Sequence, residues 1–277
     1  MTKEEAQKVW QAELLTSRAG ATVGMLAKLK DAKYRDEYAL YTAEGVKLAE
    51  EALAADVDID MALVSVDSLE NERIVACAHA MHARQIPIKL TTAEVFEKVS
   101  TEKAPQGVIT VLKRTKRMGD TLQWQKNGRY FLLDTIQDPG NLGTILRSAV
   151  AFGVDGLILH RCADPTGPKT VRAAMGALFR CPFVFTDDLV ETVAELQQNG
   201  HRVLAAALGE NSFTAGQAEL QPNDCIIIGN EGHGVSEATI AQCDGVIRIP
   251  MQSVTESLNA SIAASLLLWE YYRNFSI

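Results

Sequence analysis

Short apolar runs alternate with amphipathic stretches between about residue 31 and residue 112. Extended segments are predicted at 38–42, 62–66, 86–90 and 107–112, and helices at 44–53, 70–84 and 93–99. Residues 1–20 have the pattern of a separate N-terminal helix. These elements predict a small α/β sandwich that ends near residue 113.

A second series of strands and helices runs from residue 128 to the end of the chain. Strands are predicted at 130–134, 156–160, 183–185, 202–208, 225–229 and 245–249, and helices at 141–152, 169–178, 188–199, 236–243 and 257–273. Strands separated by helices pair in parallel and are covered on both faces, so we expect an α/β domain with a parallel sheet. The segment 114–127 has weak periodicity and a Gly-Asp turn signal, which predicts a linker between domains at 21–113 and 128–277.

The composition is that of a soluble enzyme with room for two modest domains. Of the 277 residues, 47% are hydrophobic and 22% charged, which argues against extensive disorder. Charged residues stand where an export signal needs an apolar core, and the longest apolar run, 262–269, is too short to cross a bilayer. The 5 cysteines lack CxxC or Cys/His spacing. The sequence therefore predicts a cytoplasmic protein with reduced, mostly buried thiols, no membrane partner and no structural metal.

The net charge of −8 argues at first against a nucleic-acid-binding protein. The charge is unevenly distributed, however, because residues 1–127 carry 18 Lys and Arg against 19 Asp and Glu, whereas residues 128–277 carry 9 against 16. The densest basic run, Lys113-Arg114-Thr115-Lys116-Arg117, lies where the predicted linker begins. Two interpretations stay open for this run: a solvated surface, or a focused RNA-binding patch whose affinity falls steeply with salt.

Three strand ends in the second domain carry unusual residues, and parallel sheets bind ligands outside the carboxyl ends of their strands. The first strand end is followed by Asp138 and Pro139, a predicted N-cap and helix start. The apolar stripe of this helix comprises Leu142, Ile145, Leu146 and Ala149. Arg147 lies about 140° around the helix from Leu142, so it is not a core residue. Arg147 is therefore a solvated or a functional arginine, and Asn141 in the first turn is a cap or a functional residue.

The second strand end is a glycine loop. The apolar strand Ile226-Ile227-Ile228 runs directly into Gly229-Asn230-Glu231-Gly232-His233-Gly234. Phosphate-binding loops carry a lysine and a Ser or Thr after the last glycine, whereas Val235 and Ser236 follow here. The sequence therefore predicts a backbone that approaches a ligand closely, but not a P-loop.

The third strand end lies within 247–263. The strand is predicted to close at Pro250, and a helix to begin around Ser257 with Thr255 or Ser257 available as its cap. Ser257, Asn259 and Ser261 could all be helix-start residues with no further role. The residues expected on the core side of this helix are Leu258, Ile262, Leu266 and Trp269.

Together, NLGTILR at 141–147, IIIGNEGHGVS at 226–236 and IPMQSVTESLNASIA at 249–263 resemble the ordered motifs of the SpoU (TrmH) family of RNA ribose 2′-O-methyltransferases, within the SPOUT class. Residues 41–52 and 101–111 resemble the substrate-binding domain that often precedes this catalytic domain, a ribosomal-protein-like α/β sandwich. The resemblance implies a SPOUT domain with a parallel sheet and a deep trefoil knot, S-adenosylmethionine as the cofactor, and a homodimer formed through that domain.

The resemblance also implies roles for particular residues. The implied catalytic residues are Arg147, Asn141, Glu231, Ser257 and Asn259, and the implied cofactor-binding residues are Gly229, Asn230, Gly232, Ile249, Met251 and Leu258. Candidate RNA-binding residues, chosen for their charge, are Lys113, Arg114, Lys116, Arg117, Lys169 and Arg172. One position departs from the family, because Ala174 stands where relatives usually have a small hydroxyl residue.

The expected function is methyl transfer from S-adenosylmethionine to a ribose 2′-hydroxyl of RNA, most often large-subunit ribosomal RNA in such two-domain relatives. Two alternatives stay open: a tRNA 2′-O-methyltransferase, and a relative that binds ribosomal RNA without methylating it. The family's arginine has been assigned the role of base. A guanidinium stays protonated in proteins, so holding an RNA phosphate and stabilising the developing alkoxide suit Arg147 better.

Overall fold

The computed structural model of the protein describes residues 1–114, 118–119, 124–209, 212–217, 220–230, 232–252 and 257–275. The chain forms two compact units. The first consists of Met1–Thr115 and Asp164–Phe179, and the second of Lys116–Ala163 and Arg180–Ile277. A short segment from the middle of the chain therefore belongs to the N-terminal unit.

The first unit is an α/β structure around a five-stranded sheet. Its helices before residue 115 are α1 (Lys3–Trp10), α2 (Ala21–Lys28), α3 (Ala32–Tyr38), α4 (Val46–Ala54), α5 (Glu72–Ala83) and α6 (Ala93–Val99). Its strands are β1 (Glu13–Leu15), β2 (Leu40–Glu44), β3 (Ile59–Ser65), β4 (Ile88–Thr91) and β5 (Val108–Lys113). The strand order is β1-β4-β3-β5-β2, with β1, β4 and β3 parallel, and with β5 antiparallel to both β3 and β2.

The prediction of one helix over residues 1–20 is wrong. Helix α1 begins at a capping box of Thr2 and Glu5 and ends at Trp10, and β1 then pairs with β4 at the edge of the sheet. The side chain of Trp10 is buried, and its indole nitrogen lies 3.2 Å from Nδ1 of His79. A strand of three residues is too short to produce a recognisable alternation, so only its pairing identifies it.

The second unit is built on an eight-stranded sheet. Its strands are β6 (Met118–Gly119), β7 (Tyr130–Asp134), β8 (Gly156–His160), β9 (Phe183–Thr186), β10 (Arg202–Ala206), β11 (Phe213–Thr214), β12 (Asp224–Ile228) and β13 (Gly245–Arg248). The helices from Pro139 onward are α7 (Pro139–Ala151), α8 (Pro168–Ala174, part of the first unit), α9 (Leu189–Gln198), α10 (Glu237–Gln242) and α11 (Ala260–Phe275). The order is β11-β13-β10-β12-β7-β8-β9-β6 and every pair is parallel, as the alternation of strands and helices predicted.

The central strands β7 and β12 are buried along their whole length. Helix α7 covers the sheet with its predicted apolar stripe, because Leu142, Ile145, Leu146 and Ala149 are all fully buried. Arg147 is exposed, which confirms that it is not a core residue. Helix α7 also packs against α11, and the hydroxyl oxygens of Ser148 and Ser265 are 2.7 Å apart.

The predicted core side of the last helix is wrong. Ile262, Leu266 and Trp269 are 53%, 43% and 44% exposed, respectively. The buried positions of α11 are instead Ala260, Ser261, Ala264, Leu267, Leu268, Glu270 and Tyr271. Helix α11 has two apolar faces, and the helical period alone cannot tell which of them meets the sheet.

The segment Asp164–Phe179 is tied to the first unit by a buried arginine. Arg35 is 4% exposed; its guanidinium donates to the carboxylate of Asp164 at 2.6 Å and to the carbonyls of Leu29 and Lys30 at 2.7 and 2.8 Å. Burial raises the pKa of Asp164, but hydrogen bonds from Arg35 and Thr166 outweigh it, so the pKa lies below its ordinary value. The predicted domain boundary at 114–127 did not include this exchange of a segment.

All five cysteines are free thiols, and Cys77, Cys181 and Cys225 are buried, as predicted. Burial raises the pKa of Cys181 and Cys225 to about 12. Within the described ranges, no helix has both the length and the apolar character needed to cross a membrane.

Candidate active site

A cavity of about 410 Å³ opens at the carboxyl ends of three neighbouring strands, β13, β10 and β12. Its walls are mainly aliphatic side chains and backbone. The lining residues are Ala206, Ala207, Leu208, Ile228, Gly229, Asn230, His233, Gly234, Val235, Ile240, Ile247, Arg248, Ile249, Met251, Ser257, Leu258, Ala260 and Ala263. The second and third unusual strand ends thus meet around one space.

The glycine loop closes on its own backbone. A Cβ on Gly229 would lie 2.2 to 2.5 Å from backbone atoms of Gly234 and Val235, so no side chain fits there. The N–H of Gly234 donates to the carbonyl of Asn230 at 2.8 Å, and Gly234 has a φ of +66°. Glycine is needed at 229 for this close approach and is favoured at 234 by the left-handed backbone.

Asn230 fixes the loop to the neighbouring strand. Its side-chain amide donates to the carbonyl of Thr135 at 2.9 Å, and its side-chain oxygen accepts from the N–H of Gly232 at 2.7 Å. Thr135 follows β7 with a φ of 61°, and its backbone N–H donates to the carbonyl of His160 at 2.8 Å. Nδ1 of His160 lies 2.8 Å from the carboxylate of Asp134. The ends of β7, β8 and β12 are therefore joined by hydrogen bonds behind the loop.

Asn259 joins the first unusual strand end to the third. Its side-chain amide donates to the side-chain oxygen of Asn141 at 3.0 Å. Its side-chain oxygen accepts from the backbone N–H and the hydroxyl of Ser261, at 3.0 and 2.6 Å. Asn259 therefore caps the N-terminus of α11, which begins at Ala260, in place of the predicted cap Ser257. The other predicted cap, Thr255, lies outside the described residues.

The first strand end is built as predicted. Asp138 caps α7 by accepting from the N–H of Asn141 at 2.8 Å, and Pro139 is the first helical residue. Arg147 lies two turns further along the exposed face of α7, and neither Arg147 nor Asn141 lines the cavity.

Most of the predicted cofactor-binding residues line the cavity. They are Gly229, Asn230, Ile249, Met251 and Leu258. The predicted catalytic residue Ser257 also lines the cavity. Gly232 is exposed and is not part of the lining. Glu231 lies outside the described residues.

Sequence reasoning missed one whole wall of the cavity, residues 206–208, together with His233 and Arg248. Three successive small residues, Ala205-Ala206-Ala207, span the end of β10 and the first position after it, and a strand end without large side chains is a signal that could have indicated this wall. The hydroxyl of Thr214 accepts from Nε of Arg248 at 3.1 Å, which holds this arginine at the rim.

The candidate RNA-binding residues that can be described belong to the first unit, and most are paired with carboxylates. Lys113 lies 3.4 Å from Asp58, and Arg114 and Arg172 are ion-paired with Asp36 and Glu102. Lys169 is exposed, and Lys116 and Arg117 lie outside the described residues. Ala174 is fully buried, so a hydroxyl at this position would lie inside the protein.

A second cavity, of about 550 Å³, lies in the first unit. Asp67, Glu70 and Glu97 are among its lining residues, and their charge disfavours a phosphate there. No group of three or more His, Cys, Asp or Glu side chains suited to a metal ion occurs in the part of the chain that is described.

Comparison with known proteins identifies the family of the second unit. Residues 128–269 match the SpoU rRNA methylase family. The chain belongs to that family. Residues 21–110 match an MRM3-like substrate-binding domain.

Relatives with similar chains are named as RNA methyltransferases. A tRNA/rRNA methyltransferase of Synechocystis is 29% identical over 260 residues, which cover 94% of this chain and 93% of that protein. A TrmH family tRNA/rRNA methyltransferase of Staphylococcus aureus is 41% identical over 143 residues, or 51% of this chain and 57% of that protein.

Two crystal structures resemble the whole SpoU methylase chain. The AdoMet-bound rRNA methyltransferase of Sinorhizobium meliloti is 27% identical with a TM-score of 0.83, over 96% of this chain and 100% of that one. An RNA 2′-O ribose methyltransferase is 26% identical with a TM-score of 0.81, over 95% of this chain and 100% of that one. The fold of both units is therefore shared with methyltransferases of this family.

Proposed function

We propose that this SpoU methylase transfers a methyl group from S-adenosylmethionine to a ribose 2′-hydroxyl of RNA, with ribosomal RNA of the large subunit as the substrate class. The observation that carries the proposal is the convergence of motifs. Residues of the glycine loop line one cavity together with Ile249, Met251, Ser257 and Leu258, and a hydrogen bond joins the neighbouring Asn259 to Asn141 on the helix that carries Arg147.

The cavity fits S-adenosylmethionine in size and in chemistry. Its volume of about 410 Å³ lies within the range of ~300–1,000 Å³ that holds small ligands in proteins. An adenosine moiety needs apolar walls and backbone donors and acceptors, which Ile249, Leu258 and the loop around Gly229 supply. When bound there, S-adenosylmethionine supplies the methyl group on a positively charged sulfonium. Among the described lining residues the one fixed cation is Arg248, whose side chain is exposed and donates to Thr214.

The residues around the cavity have separate tasks in this proposal. Gly229, Asn230, Ile249, Met251 and Leu258 hold the cofactor, and Gly232 sets the loop through its bond to Asn230. Ser257 lines the hydroxyl side of the pocket. Most of the rate acceleration comes from holding the ribose oxygen in line with the methyl group at near-attack distance.

Arg147 holds the RNA at the reacting ribose. Its exposed guanidinium stays protonated and donates two parallel hydrogen bonds to a phosphate, and its charge stabilises the alkoxide as the hydroxyl loses its proton. Asn259 and Asn141 position the first turn of α7 relative to the cavity. The sequence position of Glu231 is inside the glycine loop. We propose that its carboxylate faces the positively charged cofactor or accepts a hydrogen bond within the loop.

A homodimer formed through the second unit is part of the proposal. Ile262, Leu266 and Trp269 form an exposed apolar stripe on α11, and the Trp269 ring packs with Phe152 and Tyr272 at centroid distances of 5.8 and 6.0 Å. An exposed contiguous apolar surface marks an association site in soluble proteins, and a second copy of the chain is the expected partner.

Mapping 2′-O-methylated nucleotides in total RNA from cells with and without the gene tests the function directly. The expected result is one ribosomal RNA site that loses its methyl group when the gene is deleted and regains it on complementation. If the methyl group is lost from a tRNA instead, the substrate is tRNA and the proposed reaction is unchanged. An unchanged methylation map, together with no calorimetric binding of S-adenosylmethionine, would support a relative that binds RNA without methylating it.

A further inference from the structure

About half of the described cations of the first unit lie beside a carboxylate of the same unit. Arginines and lysines on several of its elements lie within ion-pair distance of a carboxylate: Arg35 with Asp164, Lys47 with Glu51, Arg73 with Glu50, Arg84 with Asp56, Lys89 with Glu13, and Lys113 with Asp58. Arg114 and Arg172 are paired as well. The neighbouring carboxylate lowers the positive potential that each of these residues offers to a polyanion.

A second group of cations in the first unit has no ion pair with a carboxylate of the described residues: Lys8, Arg18, Lys28, Lys30, Lys33, Lys98, Lys103 and Lys169. Five of these, Arg18, Lys28, Lys30, Lys33 and Lys98, lie on or near α2, α3 and α6. Three of them are directly connected. The ammonium of Lys30 donates to the carbonyl of Lys98 at 2.9 Å, and the ammonium of Lys98 donates to the carbonyl of Arg18 at 2.9 Å. The cluster is held together by a shared core, since α2 and α6 pack through Val23, Leu26, Val95, Phe96 and Val99.

An aromatic pair lies beside these cations. Tyr34 and Tyr38 are one turn apart on α3, and their rings are stacked at a centroid distance of 6.1 Å and an interplanar angle of 19°. The ammonium groups of Lys28 and Lys33 lie 4.9 and 5.7 Å from the centroid of the Tyr34 ring. We call Arg18, Lys28, Lys30, Lys33, Tyr34 and Lys98 the basic–aromatic surface.

The positive charges of the five cations repel one another, so an external anion that binds among them would lower this repulsion. The acidic residues on or next to the same helices are Asp31, Asp36, Glu37, Glu94 and Glu97, of which Asp36 is already paired with Arg114. A cation–π contact at an exposed site is worth only about 0.5–1 kcal/mol, so Lys28 and Lys33 can leave the tyrosine ring for a phosphate at little cost. Cations that follow a phosphate backbone, next to a ring on which a base can stack, are the combination found in proteins that bind single-stranded nucleic acid.

We propose that the basic–aromatic surface binds an unpaired segment of the RNA substrate, with the lysines contacting phosphates and Tyr34 stacking on a base. This inference rests on the proposed function, because it names the part of the first unit that holds the RNA. It also replaces Lys113 and Arg114 as electrostatic contacts, since these two residues are paired with carboxylates whereas the five cations of this surface are not.

A triple variant Lys28→Gln, Lys30→Gln, Lys33→Gln tests the phosphate contacts. The probe is a fluorescently labelled oligouridylate of about 12 nucleotides, a length within the site sizes of single-strand-binding proteins. Each lost phosphate contact lowers the slope of log affinity against log salt by about 0.7, so we expect the slope to fall by roughly 2 and the affinity to fall about tenfold or more.

The matched control is the triple variant Lys47→Gln, Arg73→Gln, Lys89→Gln, which removes the same charge from ion-paired positions of the same unit. We expect it to bind the oligouridylate within about twofold of wild type, because its side chains are already paired with carboxylates. Equal binding by the two triple variants would overturn the proposal. Thermal unfolding of both variants confirms that the first unit is folded.

Tyr34→Phe and Tyr34→Ala separate stacking from folding. Phenylalanine keeps the ring, so we expect wild-type affinity; alanine should weaken binding to the oligouridylate by roughly fivefold or more. Identical affinities of the two variants would remove the stacking role and leave the phosphate contacts alone.

Further measurements distinguish a failure of this inference from a failure of the proposed function. If wild-type protein binds the oligouridylate but transfers no methyl group to ribosomal RNA, the proposed function fails and the binding surface stands. If wild type methylates ribosomal RNA and the lysine triple variant does so with an unchanged KM, the basic–aromatic surface is not the RNA contact. The same lysine triple variant can also be tested on assembled ribosomal subunits. If it loses binding to the subunits but keeps wild-type binding to naked RNA, the surface contacts a ribosomal protein and the proposal is overturned.

Discussion

Arg147 is exposed on α7, outside the cavity, on a helix whose opposite face is fully buried. A residue in that position can act on RNA without contributing to the cofactor pocket. We expect Arg147→Ala to lower the rate of methyl transfer by about 100-fold or more, since a charge-assisted contact to the reacting nucleotide is lost. Calorimetry should give S-adenosylmethionine affinity within about twofold of wild type, because no part of the lining has changed.

Arg147→Lys is the matched variant for that experiment. It keeps the positive charge but loses the planar fork that binds a phosphate with two hydrogen bonds. Partial activity in Arg147→Lys supports a phosphate clamp. Wild-type turnover in Arg147→Ala would remove Arg147 from the mechanism.

Asn259 has two tasks that substitution can separate. Asn259→Asp keeps an oxygen that caps α11 but loses the amide that donates to Asn141. Asn259→Ala loses both. We expect urea unfolding to show a loss of about 1 kcal/mol for the alanine variant and close to none for the aspartate variant. Methyl transfer should fall in both, and a fully active aspartate variant would contradict the positioning role.

Residue-level prediction from the sequence succeeded where one local rule decided the outcome. The helical period placed Arg147 outside the core, and Asp138 with Pro139 marked the start of α7. It did not single out Asn259, which it gave only as one possible helix-start residue, because a cap is defined by where the helix starts, and three hydroxyl or amide residues within 255–259 could each begin it. The contact between Asn259 and Asn141 spans 118 positions in the chain and has no local signal.

The glycine loop is the element whose geometry is most restrictive. A methyl group on Gly229 meets backbone within 2.5 Å, whereas the nearest atom to a Cβ on Gly232 is a side-chain oxygen of Asn230 at 3.2 Å. We expect Gly229→Ala to cost about 1–3 kcal/mol of unfolding free energy, because the loop must shift to accommodate it. It should also weaken cofactor binding. Gly232→Ala is the control and should lose much less unfolding free energy and much less cofactor affinity. Equal losses in the two variants would contradict this account of the loop.

Elements with strong periodicity were predicted from the sequence, and elements defined by their partners were not. Strands β7 and β8 and helix α6 have the predicted bounds. Strand β1 has three residues at a sheet edge, and α8 belongs to the first unit through the buried Arg35. Neither feature has a local pattern, since an edge pairing and a long-range ion pair depend on residues far away in the sequence. The orientation of α11 failed for a related reason, because both of its faces are apolar.

Across the whole molecule, charge follows the proposed division of labour. The excess of negative charge lies in residues 128–277, which form most of the unit with the cofactor cavity and where a cationic cofactor is tolerated. The connected cations Arg18, Lys30 and Lys98, and Lys28 beside Tyr34, lie on the first unit. An overall charge of −8 is therefore compatible with RNA binding when the positive charge is concentrated on one surface.

The oligomeric state tests the exposed face of α11. We expect the wild-type protein to have the mass of two chains in light scattering, and Leu266→Glu or Trp269→Glu to raise the dimer dissociation constant by about 30-fold or more, because each buries a charge in an apolar interface. Phe185→Glu is the matched control: Phe185 is 47% exposed on β9 of the same unit, and its substitution should leave the mass unchanged. A wild-type monomer would contradict the homodimer. Leu266→Glu and Trp269→Glu proteins that stay dimeric would place the interface on another face, since both side chains are exposed in the single chain and their replacement leaves its core intact.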